Sequence, residues 1–276
     1  VRVFLLFLHF FSKSIMKTRT LFIFLFISLV RNGWSQEQQE KEINDQAQFW
    51  TSVNSTWRLS NRWGVMGDFH LRRTDFLKDP NFYFLRMGGV YWIDDKFSVA
   101  GGGALLWLAV PDDEDDFNYA LERRIYQQLL WRSIHGRVNF LQRIRNEQRW
   151  HEVLNDEGEV DRIRFSNRVR FLFSAAIKVF ENPKAPRLVL SDEIHFHFGS
   201  EIVYNTFDQN RFFVGINQRI NKEWSFDLGY MSVYQQRYSG YQYDHNHTFR
   251  LFFYYSPDLR KKKDEDLPHY PVGGIE

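Results

Sequence analysis

Arg143-Ile144-Arg145-Asn146-Glu147-Gln148-Arg149 places a charge at every second residue, and the same even spacing returns at Arg164, Arg168 and Arg170. A helix turns residues two apart toward opposite sides, whereas a strand points them all one way. These segments therefore read as strands with one ionic face. The opposite faces of the neighbouring segments are aromatic and aliphatic, so the fold turns on which face meets the interior.

Alternation of this kind begins at Ala47. The first strand sets Phe49, Val53, Trp57 and Leu59 against Gln48, Ser52, Asn54 and Arg58, and Ser60-Asn61-Arg62 turns the chain into a second strand over 63–73. Further strands are expected over 82–92, 97–109, 122–134, 138–152, 162–180, 187–198, 211–220, 224–235 and 247–255. Many approach the ~9–11 residues of a tilted membrane strand and exceed the ~5–6 usual in soluble sheets. Short links near Ser60, Asp94, Gly136 and Asn221 alternate with longer polar ones at 74–81, 111–120, 154–161, 199–210 and 236–246. Short turns on one rim and long loops on the other mark an outer-membrane barrel. Eleven segments are legible, but single-chain bacterial barrels have an even number. About twelve strands, within a range of ten to twelve, are expected: either a further strand is merged into 162–180 or the leader crosses the lumen.

An antiparallel sheet with one wet face alternates in the same way, so a secreted soluble β-sandwich binding protein is the competing architecture. The composition of the faces argues against it. Arg or Lys on a lipid face near the midplane costs about 2–4 kcal/mol against a typical stability of about 5–15 kcal/mol, so a lipid face must exclude charge. The faces Tyr83/Leu85/Met87/Tyr91, Phe165/Val169/Phe171/Phe173/Ile177, Phe212/Val214/Ile216/Ile220 and Phe249/Leu251/Phe253/Tyr255 carry none. Asp192, Gln142, Asn146 and Gln148 are local exceptions. Aromatic residues gather near strand ends (Trp57, Trp63, Tyr91, Trp92, Trp131, Trp150, Trp224, Tyr255), where interfacial girdles belong. The reading is an all-β, antiparallel transmembrane barrel over 47–257 with a polar, arginine-rich lumen.

The 276 residues hold 28 Phe, 13 Tyr and 9 Trp, no Cys and a net charge of +2. Lacking cysteine, the chain has neither disulfides nor thiolate metal sites. Its near-neutral balance, with basic residues spread over many strands, excludes a general nucleic-acid binder. Met16-Lys17-Thr18-Arg19 before the apolar run 21–30, then Gly33-Trp34-Ser35, reads as a secretory signal cleaved after Ser35, so residues 1–35 are upstream sequence plus signal peptide. Residues 36–46 read as a polar leader and 258–276 as a charged tail. The location expected is the cell outer membrane, with membrane lipid and the barrel assembly machinery as partners and no cofactor.

Gln142 to Arg149, together with Phe207-Asp208-Gln209-Asn210-Arg211, Leu228-Gly229-Tyr230-Met231 and Asp244-His245-Asn246-His247, resembles a bacterial outer-membrane barrel family catalogued as a domain of unknown function. The resemblance spans roughly Phe49 to Tyr255 and implies fold and location, with no activity to carry over. The chain departs from outer-membrane barrels in following its last strand with Pro257 and charged residues instead of ending on an aromatic.

The candidate site is a lumenal ionic cluster: Arg143, Arg145, Glu147, Arg149, Arg164, Arg168, Arg170 and Arg211, with Glu122, Arg124 and Glu193. Alternating signs on neighbouring strands pair buried charges, so the cluster reads as a network filling a structural barrel. Its excess positive charge also fits a narrow anion-favouring pore, since charged rings set pore selectivity. His195 and His197 beside Glu193 lack a third ligand for zinc, and no metal site is expected. Ser232, His247 and Asn246 hold the residue types of a lipid hydrolase, though no spacing ties them together. Asp112 to Asp116 resembles a cation-bridging loop but reads as a solvated acidic run. Asp208-Gln209-Asn210-Arg211 is expected to cap a loop-to-strand junction.

Overall fold

The computed structural model describes residues 40–112, 116–182 and 184–261. The expected signal peptide and cleavage site, Asp113 to Asp115 of the acidic run and most of the expected charged tail lie outside the described residues. Eleven strands form one sheet: β1 (Glu42–Arg58), β2 (Trp63–Thr74), β3 (Asp79–Trp92), β4 (Phe97–Pro111), β5 (Phe117–His135), β6 (Val138–Leu154), β7 (Val160–Ile177), β8 (Arg187–Phe198), β9 (Phe207–Arg219), β10 (Trp224–Gln236) and β11 (Gln242–Tyr255). Each pairs antiparallel with its sequence neighbours, and β1 pairs parallel with β11, in register from Glu42↔Gln242 to Ser55↔Tyr255, closing a barrel. This is one closed sheet rather than the two packed sheets of a sandwich.

The strand number falls within the expected range but is odd. The segment 162–180 holds one strand, β7, and no twelfth. An odd meander returns its last strand in the direction of its first, so closure must be parallel, with the evenly spaced, slanted hydrogen bonds of a parallel ladder. β1 starts at Glu42, inside the stretch read as leader, because its polar residues pair with β11. Links 59–62, 93–96, 136–137, 178–186 and 220–223 form a lower rim, and 75–78, 112–116, 155–159, 199–206 and 237–241 an upper rim. Most upper links are shorter than expected, because polar strand ends there remain in the ladder without apolar alternation to announce them. The expected contrast of rims is weak, and the longest link, 178–186, is on the lower one.

Side chains sort by parity. Val53, Phe69, Leu85, Met87, Ile125, Phe171 and Phe173 point outward and are exposed, whereas Arg86, Arg143, Arg145, Glu147, Arg168, Arg170, Glu193 and Arg250 are buried inside. Three of the four outward polar exceptions are satisfied in the plane of the sheet: Gln127 bonds Asn146 and Gln148 at 3.1 Å, and Asn210 donates to Asp192 at 2.8 Å. Trp57, Trp63 and Trp131 are outward, but Trp92 turns inward, beneath the Arg58 guanidinium at 4.5 Å.

The lower half of the interior is a dry floor of Leu130, Leu141, Ala176, Val189, Phe213, Phe252 and Tyr254, continued by Met66, Val90, Trp92 and Tyr126. Two aromatic rings lie against glycine pairs: Phe213 over Gly215 and Gly229, and Tyr126 over Gly88, which faces Gly102 in the ladder. A Cβ on Gly88 would meet the Tyr126 hydroxyl and the Gly101 carbonyl, while Gly89 points into open space. Overpacking costs about 1–3 kcal/mol, so Gly88→Val should lower the urea midpoint of the folded protein clearly. Gly89→Ala should leave that midpoint nearly unchanged; equal effects of the two would show that the ring does not seat on glycine. Below the floor, the chain after β11 folds under the lower rim, where Arg58 N–H donates to the Pro257 carbonyl at 3.1 Å and Arg260 bonds Asp258.

Candidate functional site

Above the floor lies a cavity of about 460 Å³ that extends from the upper rim to mid-barrel. Eleven arginines and four carboxylates line it, an imbalance that follows from the inward parity of the charged strands. All eleven residues expected in the ionic cluster lie on the inward face.

Glu147 is one hub, accepting from Arg168 Nε at 2.8 Å and Nη2 at 2.5 Å and from Arg170 Nη1 at 2.9 Å, with Arg145 at 3.9 Å. Glu193 is a second, held by Arg143 at 2.8 Å and by Arg170 Nε and Nη2 at 3.0 and 2.9 Å. Glu122 is a third, bidentate with Arg149 at 2.7 Å and bonded to Arg124. Arg145 also donates twice to Gln128, at 3.0 and 2.7 Å. Bidentate forks are the geometry that makes a buried ion pair tolerable.

Asp208 does not cap a loop. It lies in β9, next to an irregularity in the β8–β9 register that turns both it and Gln209 inward, and it is the fourth hub, 3.1 Å from Arg168 and 3.0 Å from His197 Nε2. His195 and His197 thus converge on Asp208 and Glu193, carboxylates already engaged by arginines, and serve as part of this wall. Five further charged members escape a reading of local ladders: Asp68 paired with Arg86, Asp227 held by Arg250 and by the Tyr254 hydroxyl, and Arg72. Their signal was parity, since each sits on the inward side of its strand.

Not every cation is balanced. The Arg72 guanidinium stacks 3.3 Å from the Trp50 ring centroid and 4.2 Å from that of Phe82, and its buried Nε has no hydrogen-bond partner among the described residues. Arg211 lies 5.1 Å from the same Trp50 ring, its Nε donating to Gln209 at 2.9 Å and its closest carboxylate, Glu193, 3.8 Å away. Arg164 stacks 3.7 Å from the Tyr238 ring, its Nε likewise without a partner among the described residues. Stacking on aromatic faces partly replaces lost hydration but leaves each fork's N–H groups available to an acceptor. At the rim, hydrogen bonds to Asp244 raise the pKa of Arg237 above its ordinary value and keep it charged.

The residues expected for lipid hydrolysis are not brought together. Asn246 is buried inside and accepts from Gln48 at 2.9 Å, whereas His247 and Ser232 face outward. Ser232 Oγ lies instead 3.0 Å from His245 Nε2, and Tyr230 takes His247 Nδ1 at 2.7 Å.

No curated protein matches the chain. A solved structure of the NanC porin is similar over 69% of this chain and 83% of its own, at 11% identity and a TM-score of 0.42. A family profile described as "Protein of unknown function (DUF2490)" matches residues 47–245, and the chain belongs to that family.

Proposed function

We propose that the protein is an integral outer-membrane β-barrel, exported on a signal peptide cleaved after Ser35, whose lumen is a cationic cup that takes up a small anion from the upper rim. Two features support the membrane setting. Large apolar side chains cover the outside while buried arginine and glutamate fill the interior above the floor, the inverse of a water-soluble barrel. Outward polar groups such as Gln127 with Gln148, Asn210 with Asp192 and Arg123 with Glu152 bond one another.

The observation that carries the anion reading is the pair Arg72 and Arg211 beside Trp50. Two guanidiniums share one aromatic ring, one of them with no carboxylate partner among the described residues, in a cavity lined by more arginines than carboxylates. Planar forks of N–H donors suit a phosphate, sulfate or carboxylate group. The dry floor favours a closed structural cup over a continuous narrow pore, with the anion preference residing in the cup. Titrating inorganic phosphate and inorganic sulfate into the detergent-solubilised full chain tests this. Binding is expected to weaken with added salt and to fall at least tenfold in Arg72→Ala/Arg211→Ala. Equal affinity in wild type and the double variant would remove the assignment.

A further inference from the structure

On the outer wall, just below the upper rim, three side chains converge that belong to neither the cup nor its network. Asp45 on β1 stands directly across the parallel pair from His245 on β11, and His247, two residues on, shares their face. Asp45 Oδ1 is 3.0 Å from His245 Nδ1 and 3.4 Å from His247 Nε2, and the three candidate ligand atoms lie within 4.8 Å of one another. We propose that Asp45, His245 and His247 form a binding site for a divalent transition-metal ion of the zinc class, clamping the seam at which β11 closes onto β1.

Ligand spacing is the first support. Zinc sits about 2.0–2.2 Å from imidazole nitrogen and carboxylate oxygen, which in a tetrahedron separates ligand atoms by roughly 3.3 Å. Both distances from Asp45 Oδ1 are near that value. The second support is independent. A metal-binding histidine normally anchors its other ring nitrogen on a hydrogen-bond partner, which fixes tautomer and orientation. Here both do: with Nδ1 of His245 on the metal, its Nε2–H donates to Ser232 Oγ at 3.0 Å, and with Nε2 of His247 on the metal, its Nδ1–H donates to the Tyr230 oxygen at 2.7 Å. Two imidazoles and one carboxylate select a borderline ion over calcium or magnesium, and a fourth position stays open toward the outside.

The same atoms offer a rival, a Ser232–His245–Asp45 relay. Two features disfavour it. A serine nucleophile needs nearby backbone N–H groups to stabilise an oxyanion, yet Ser232 sits mid-strand, paired with Phe212 on one side and His247 on the other, where the ladders consume those groups. The relay also gives His247 no role, although it shares the Asp45 oxygen.

The site would act where closure is weakest. Parallel pairing is slightly less stable per residue than antiparallel, and the seam joins strands from opposite ends of the chain. An ion bound only when both are in place favours the closed barrel by mass action.

The test uses the full chain in detergent, stripped of metal and titrated with Zn²⁺. Calorimetry and elemental analysis read stoichiometry, and the temperature at which the barrel opens on a heat-modifiability gel reads the clamp. One equivalent of zinc per chain and a raised opening temperature are expected. Affinity should fall at least tenfold in Asp45→Asn and His247→Ala and be unchanged in Asp192→Asn, on the outer wall at β8. Zinc binding that persists in His245→Ala/His247→Ala, or stays well below one equivalent in wild type, overturns the proposal. So does phospholipid hydrolysis by metal-stripped protein that Ser232→Ala abolishes, which would assign these residues to the relay.

Discussion

Glu147→Leu should be the most damaging single substitution in the barrel. It takes from Arg168 and Arg170 the carboxylate that they share at 2.5–2.9 Å, leaving Arg168 only Asp208 and Arg170 only Glu193, and weakens Arg145 at 3.9 Å, all deep in the lumen. Removing one partner of a buried pair costs about 3–5 kcal/mol because the remaining charge is uncompensated. A typical fold has only about 5–15 kcal/mol in hand. The variant is expected to lose most or all of its heat-modifiable band and to unfold at much lower urea. Glu147→Gln, which keeps an acceptor, should lose less. Unfolding of Glu147→Leu within about 1 kcal/mol of wild type would show that the hub does not hold the network.

The floor makes the second large prediction. Wild-type protein in planar bilayers should show no steady ohmic current, because Val189, Phe213 and Tyr254, each 0% exposed, close the lower half of the lumen. Phe213→Ala and Tyr126→Ala remove the two rings that lie against the glycine pairs. The double variant, checked for folding by heat modifiability, should conduct and favour anions, since a current must pass eleven arginines first. Aromatic-to-alanine changes in a core cost about 3–5 kcal/mol each, so the single variants serve where the double one fails to fold. Wild-type conductance equal to that of the folded variants would refute the dry floor.

Much of this was legible in the sequence. The two-residue period of Arg143 to Arg149 fixed which side of β6 faces in, and strict parity carried that through the neighbouring strands. Strand ends were less legible, because Glu42 to Gln46 and the other polar ends at the upper rim pair by backbone alone. The floor left a signal that alternation hides. Leu188-Val189-Leu190, Phe212-Phe213-Val214 and Phe252-Phe253-Tyr254 are unbroken apolar triplets, as expected where both faces of a strand are dry.

The site residues divide along the same line. Pairs on adjacent strands, such as Arg170 with Glu193, follow from spacing. The Arg72–Trp50–Arg211 stack does not, because it gathers β1, β2 and β9 across the barrel. Asp45 meets His245 because closure sets β1 beside β11 in the parallel register that the odd strand count imposes, and Ser232 reaches His245 on the diagonal instead of His247 directly opposite.

That odd count also sets how the two ends of the barrel relate to the membrane. β1 begins at the upper rim and β11 finishes at the lower one, whereas an even meander returns both ends to one side. With the apolar band in lipid, a reporter fused ahead of Glu42 and one fused behind Lys261 would sample different compartments. Joining those points in a circular permutant would need a linker that crosses the bilayer, so the natural break at the β1–β11 seam is the one place where this chain cannot be closed by a short turn.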